Sequence, residues 1–230
     1  MSNNNNKNIT EARKLILAHA LIKIDSRGWT KKLLKEAIMA SGTNLPLAER
    51  AFPRGIQDLL VVFNDHFDSE MTLHLEQEDL NSLGYTDRVK RAIILRFQIM
   101  SPYRKAVRQA IAFYALPNNA FDGARCLART ADTVWLALED TSVDFSYYTK
   151  RATLATVIGA TALVWADDEQ NIVWPEFLNR RIENILTIGK LRSKAKDAST
   201  SIEKSLKAKS RQVFPSGLPD LHEIWPVFPR

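Results

Sequence analysis

The stretch Asp140–Asp168, DTSVDFSYYTKRATLATVIGATALVWADD, leaves this chain few ways to fold. Its apolar residues recur at three- and four-residue steps, the period of a helix. Phe145, Tyr148, Ala152, Ala155, Gly159, Ala162 and Ala166 form one stripe. Tyr147, Leu154, Ile158, Thr161 and Trp165 form a second beside it, broken by Arg151. A helix that is apolar round most of its circumference belongs in the middle of its domain. Thr141 or Ser142 offers an N-cap, and the Asp144 carboxylate falls in the first turn, where it meets free backbone N–H groups. The first stripe is mostly Ala and Gly, so either a neighbour approaches closely there or a cavity is left. A plain core helix with small packing residues is the simpler of the two readings.

The rest of the chain reads as helix after helix, with no alternating strand. Thr10 caps a first helix with Leu15, Ala18 and Ile22 on its apolar face. Thr30 caps a second, carrying Leu33, Leu34, Ala37 and Ile38 and ended by Gly42. Pro46 opens a short third helix that turns Leu45, Ala48 and Phe52 inward. Ile56, Leu59, Leu60, Phe63 and Phe67 stripe a longer fourth. Further helices cover Asp87–Met100 (Val89, Ile93 and Phe97 inward; Arg88, Lys90, Arg91 and Arg96 outward), Tyr103–Ala115, Gly123–Leu138 and Glu176–Ile188. The fold expected is an all-α bundle. Its parts are a polar disordered tail over 1–8, a helix-turn-helix-like module over 9–67 and an acidic connector over 68–85. A helical bundle over 86–189, a basic amphipathic helix over 190–213 and a tail rich in Pro and aromatics over 214–230 complete it.

Charge and composition narrow the function. Lys190–Val213 carries eight Lys and Arg against two acidic residues, which accounts for the whole net charge of +6. The remainder is balanced, unlike a uniformly basic nucleic-acid binder. In 190–213 a thin apolar face (Leu191, Ile202, Leu206) lies among lysines such as Lys204 and Lys207. That pattern suits either a solvated helix or one lying on anionic lipid. The single cysteine, Cys126, excludes a disulfide framework. No run reaches transmembrane length. The start, MSNNNNKNITEARK, has neither an apolar secretory core nor a transit-peptide composition, which reads as cytosolic. His66, Glu70 and His74 share a helical face, but the two histidines stand roughly 12 Å apart by helical rise, too far for one ion. No phosphate loop, nucleophile elbow or Glu-x-x-His pair occurs, so no enzyme is expected.

The identity of the residues in the central stretch carries more than their period. Asp140, Ser142, Asp144, Phe145, Tyr148, Thr149, Arg151, Ala152, Leu154, Ala155, Thr161, Leu163 and Asp167 match an ordered signature, with Tyr147 standing where it has Trp. Asp132 with Trp135, Pro102–Tyr103, Leu116–Pro117–Asn118, Phe177–Leu178 and Arg180–Arg181 extend the match on both sides. In these residues the chain resembles the coenzyme Q biosynthesis protein nine family, lipid-binding accessory proteins of ubiquinone synthesis. The resemblance is close over Pro102–Lys190 and looser before it. The helix–turn–helix, Phe52–Pro53 and long fourth helix also resemble the tetracycline-repressor (TetR) family, whose architecture the coenzyme Q family shares.

The resemblance implies a TetR-like bundle whose cavity takes an isoprenoid quinone-type lipid and presents it to a di-iron hydroxylase. It implies no catalytic residues, no metal and no further cofactor. Phe113, Trp135, Leu154, Ile158 and Phe177 are the lipid-binding candidates, chosen by apolar periodicity inside the matched region. Asp144, Tyr147, Tyr148 and Arg151 are the partner-binding candidates, from the motif; alternatively they form an internal cluster with Arg151 paired to Asp144. Leu191, Ile202, Lys204, Leu206 and Lys207 are the membrane-binding candidates. A homodimer is expected, peripheral on the inner membrane of a bacterium, or on the matrix face in a processed mitochondrial form. The rival is a TetR-like, ligand-responsive DNA-binding regulator. Against it, the would-be recognition helix reads Leu45–Pro46–Leu47–Ala48–Glu49–Arg50, with apolar residues where base readers are needed. No nucleic-acid partner is therefore expected.

Overall fold

The computed structural model describes residues 2–139 and 145–184. Among them every regular element is helical: α1 (Ser2–Arg27), α2 (Lys31–Ala40), α3 (Leu45–Ala51), α4 (Ile56–Leu75), α5 (Tyr85–Met100), α6 (Arg104–Tyr114), α7 (Ala120–Ala137) and α8 (Phe145–Asp167). A further helix, α9, covers 174–184, and a 3-10 turn over Ser101–Tyr103 joins α5 to α6. The all-α bundle expected from the periodicity is what the chain forms. Met1–Ile182 is one compact unit and Glu183–Arg230 a second, so the helix-turn-helix-like module and the bundle share a unit.

Local chemistry sets the ends of these helices. The Thr30 hydroxyl accepts from the Leu33 N–H at 3.2 Å, and Asn44 Oδ1 accepts from Leu47 N–H at 2.9 Å. Gly42, at φ +67°, stops α2 in the left-handed region that glycine adopts without strain. The Asp168 carboxylate accepts from the N–H groups of Ile172, Val173 and Trp174 and so holds the turn into α9. Those bonds, with that of Trp174 foremost, hold its pKa below the usual carboxylate range. Arg104 and Arg108 close the other side of the corner by donating to the last carbonyls of α8, those of Trp165 and Ala166.

The core follows the expected stripes in most places. Leu59, Leu60, Phe63 and Phe67 of α4 are buried, as are Val89, Ile93 and Phe97 of α5. Of the two stripes on α8, the one holding Leu154, Ile158, Thr161 and Trp165 faces the core. Trp29 fastens the module to the bundle. Its Nε1 donates to the Ala106 carbonyl at 2.8 Å, and its ring meets Phe63 edge-on at 4.9 Å.

Five expectations need correction. The buried face of α1 is Ala12, Ile16, Leu17, Ala20 and Ile24, while Leu15 and Ile22 are exposed. Two apolar stripes compete on that helix, and the four-residue series wins because it runs unbroken along the longer contact with α2 and α3. Leu45 is exposed, since it lies at the first residue of α3 with Asn44 outside it. Residues 2–8 are helical and continue α1, because adding turns to a helix already anchored by Ala12 and Ile16 costs little. The connector shrinks to 76–84, because α4 runs on to Leu75 with Met71 and Leu75 buried. Arg96, expected on the solvent side of α5, is buried. Its partner is Asp68, which had looked like part of a solvated acidic run.

Candidate functional site

Consecutive helices α4 to α8 line a partly open cavity of about 450 Å³. Phe63 of α4, Phe97 of α5, Val107 of α6, Leu127 of α7, and Ile158 and Ala162 of α8 supply much of its apolar wall. Two glycines set how closely that wall is drawn. A Cβ on Gly123 would stand 2.8 Å from the Cβ of Tyr114, so α7 lies hard against α6. A Cβ on Gly159 would stand 2.9 Å from Leu127 Cδ1, so α8 approaches α7 through that point.

The cavity wall is polar at three places. Tyr114 and Cys126 line it with the hydroxyl and the thiol 3.5 Å apart. Burial pushes both pKa values up, that of Tyr114 far above the usual phenol range, so each is protonated at neutral pH. Asn64 and Arg96 line it too, and they belong to a network. Arg96 Nε donates to Asp68 Oδ1 at 2.7 Å, Nη2 to Asn64 Oδ1 at 2.8 Å and Nη1 to Met100 Sδ at 3.0 Å. The Thr130 hydroxyl donates to Asp68 at 2.9 Å, and the Asn64 amide donates to both Asp68 and Thr130 at 3.1 Å. Sequence reasoning missed this cluster. Its members are spread over α4, α5 and α7, and the one readable signal is a lone Arg on a helix otherwise apolar at that step.

The residues singled out from the sequence fall into three groups. Of the lipid candidates, Ile158 lines the cavity. Leu154 is buried outside the lining, and Phe113 is half-buried on α6 next to the lining residue Tyr114. Trp135 is buried and stacks on Tyr85 at 5.8 Å, with Lys150 set 5.6 Å from both ring centres. Phe177 is half-buried under the Arg181 guanidinium. The five are thus dispersed over the bundle and do not form one surface. Among the partner candidates, Tyr148 is 73% exposed. Arg151 Nε donates to Asp132 Oδ1 at 2.5 Å. The motif residues Asp132 and Arg151 therefore meet across α7 and α8. Asp144 and the Tyr147 side chain, and with them the Asp144 pairing and the Thr141 or Ser142 cap, lie outside the described residues. So do all the membrane candidates: Leu191, Ile202, Lys204, Leu206 and Lys207. His66 Nδ1 stands 4.0 Å from Glu70, and among the described residues no group of three metal-ligating side chains converges.

What the fold and the site define is an all-α bundle built around an apolar cavity with a buried ion pair in its wall. The COQ9 family model matches residues 120–189, which span α7, α8 and α9. The chain is 26% identical over 201 residues to the Homo sapiens ubiquinone biosynthesis protein COQ9, mitochondrial, covering 83% of this chain and 63% of that protein. The Bos taurus protein of the same name gives 27% over 201 residues, 83% and 62%. That of Drosophila melanogaster gives 26% over 200 residues, 84% and 61%. Over α7 to α9 the chain is similar to the COQ9 family, as its central motif leads one to expect. It spans under two thirds of the length of these curated relatives.

Proposed function

We infer that this chain is an accessory protein of ubiquinone biosynthesis that binds an isoprenoid quinone intermediate and presents it to a hydroxylase at the membrane. The observation that carries the reading is the cavity. At about 450 Å³ it falls inside the size range of small-molecule sites, ~300–1,000 Å³, and most of its lining is apolar. It borders the helix that bears the family motif, where the Ala and Gly stripe contributes Gly159 and Ala162 to the wall. In this reading the chain performs no chemistry of its own and needs no metal or further cofactor. The Tyr148–Arg151 end of α8 docks a di-iron hydroxylase, the protein works as a homodimer, and the basic 190–213 segment holds it to anionic lipid. The relatives are named mitochondrial, and in this reading a eukaryotic form sits on the matrix face and a bacterial form on the inner membrane. No helix among the described residues is long and apolar enough to cross a membrane.

The regulator reading finds no support in the module. Arg54, a half-exposed cation after α3 that could touch a phosphate, is engaged by Asp58 at 2.9 Å and by Asp122 of α7 at 2.9 Å. The deciding experiment is organic extraction of the purified protein followed by mass spectrometry. A co-purifying prenylated quinone or phenol supports the reading. Protein free of lipid that also takes up none from added prenylquinone sinks it.

A further inference from the structure

Arg96 is an uncommon group to find in the wall of an apolar cavity. A guanidinium carries five N–H donors and no acceptor. Three of them are engaged, by Asp68, Asn64 and the Met100 thioether, and the last of these is a weak acceptor. Two N–H groups thus have no protein acceptor among the described residues, on a side chain that is 5% exposed and borders the cavity. Buried donors of this kind are seldom left without a partner, and a ligand oxygen would outcompete a thioether sulfur for the third. The charge of the guanidinium is already matched by Asp68 at 2.7 Å. A second anion brought into the site would crowd that carboxylate, whereas a neutral oxygen would not. Asn64 fixes the guanidinium plane, since its Oδ1 accepts from Nη2 while its amide is tied to Asp68 and Thr130.

We propose that Arg96, held by Asp68 and Asn64, reads the head of the ligand, donating to a neutral ring oxygen of carbonyl or phenol type and turning away lipids that end in carboxylate or phosphate. While the lipid is carried, the ring lies at the Arg96 wall and the prenyl chain runs along the apolar lining. This rests on the lipid-carrier reading and adds to it an orientation and a selection rule.

The test uses the full chain and four probes of matched tail length: a decyl 1,4-benzoquinone, decylbenzene, a decyl carboxylic acid and decyl phosphate. Wild type should bind the quinone at least about tenfold more tightly than decylbenzene, the worth of one charge-assisted hydrogen bond, and should bind both anions more weakly than the quinone. The neutral double variant Asp68→Asn with Arg96→Gln should bring quinone and decylbenzene within about twofold of each other while decylbenzene binding holds. An unchanged quinone preference in the folded double variant overturns the proposal, as does tightest binding of either anion by wild type. Infrared spectra of the wild-type complex give a second reading that does not depend on the variant folding. A bound quinone carbonyl shifted to lower wavenumber is expected, and an unshifted one overturns the assignment. Failure of all four probes to bind wild type would instead sink the carrier reading itself.

Discussion

Leu127 of α7 occupies the notch that Gly159 leaves on α8, so close that a Cβ at Gly159 would stand 2.9 Å from Leu127 Cδ1. Leu127 is also part of the cavity wall. The atom in the way is the tip of a side chain that can turn, and the ~1 kcal/mol gained when Ala replaces a helical Gly offsets that adjustment. Gly159→Ala should leave the melting temperature nearly unchanged while weakening ligand uptake, because Leu127 is pushed into the cavity. Gly123→Ala is the contrast. There the obstacle is the Cβ of Tyr114, fixed to the backbone, and overpacking should cost ~1–3 kcal/mol. Denaturant midpoints for the two variants check both statements.

The Arg96–Asp68 pair should behave as a buried ion pair does when one side is removed. Arg96→Met alone strands the Asp68 carboxylate and should cost ~3–5 kcal/mol. Asp68→Leu with Arg96→Met removes both charges and should recover most of that loss. Chemical denaturation of the two variants decides; equal stability for single and double would show that the pair carries no special cost.

Tyr148 and Arg151 separate docking from folding. Tyr148 is exposed, so Tyr148→Ala should move stability by less than ~0.5 kcal/mol yet weaken hydroxylase capture by ~2 kcal/mol. Arg151→Ala breaks the bond to Asp132 and should cost ~1–3 kcal/mol of stability besides. A pull-down with the hydroxylase beside thermal melts reads both effects. Normal capture by the Tyr148 variant would remove that residue from the interface.

Alkaline pH should destabilise the fold through Tyr114 and Cys126. Burial raises both pKa values in the folded state, so the folded protein keeps protons that the unfolded chain releases. Their contribution is whole below the ordinary thiol value of ~8.5 and falls as pH rises past it and then past the phenol value of ~10. Each group adds a slope of up to ~1.4 kcal/mol per pH unit. Cys126→Ala should flatten the first part of that loss and leave the second, as urea midpoints taken between neutral and alkaline pH would show.

The basic segment makes a prediction of its own. A chain ending before Lys190 should lose most binding to anionic vesicles, and full-length binding should weaken with salt, since each lysine near such a surface contributes ~1 kcal/mol. Equal sedimentation of both forms with vesicles would take 190–213 out of the membrane role.

The helices were legible because their signal is local. Leu154, Ile158, Thr161 and Trp165 sit at helical steps with no charge among them, and such a stripe has nowhere to go except the core. Gly159 and Ala162 lie on the stripe read as either a close approach or a cavity; both border the cavity, and Gly159 also takes the close approach of Leu127. Arg96 and Asp68 were not legible. They lie 28 residues apart, and each looks like an ordinary surface charge until the fold joins them. On α1 the period was right and the face wrong, because two stripes compete and only the neighbours α2 and α3 choose between them. The cavity wall was hidden for the same reason: Ile158 lines it, while Leu127, Tyr114 and Cys126 gain their place only through helix packing.

Five successive helices meet at one hollow, so whatever fills it ties together positions from Leu60 to Leu163. A seated lipid is then a removable part of the core, and the folded state is favoured by ~2.7 kcal/mol once free lipid reaches a hundred times its dissociation constant. Starved of lipid, the chain opens more often and meets proteases more often. On the carrier reading proposed above, the quantity of the protein in a cell becomes a running measure of how much precursor reaches it.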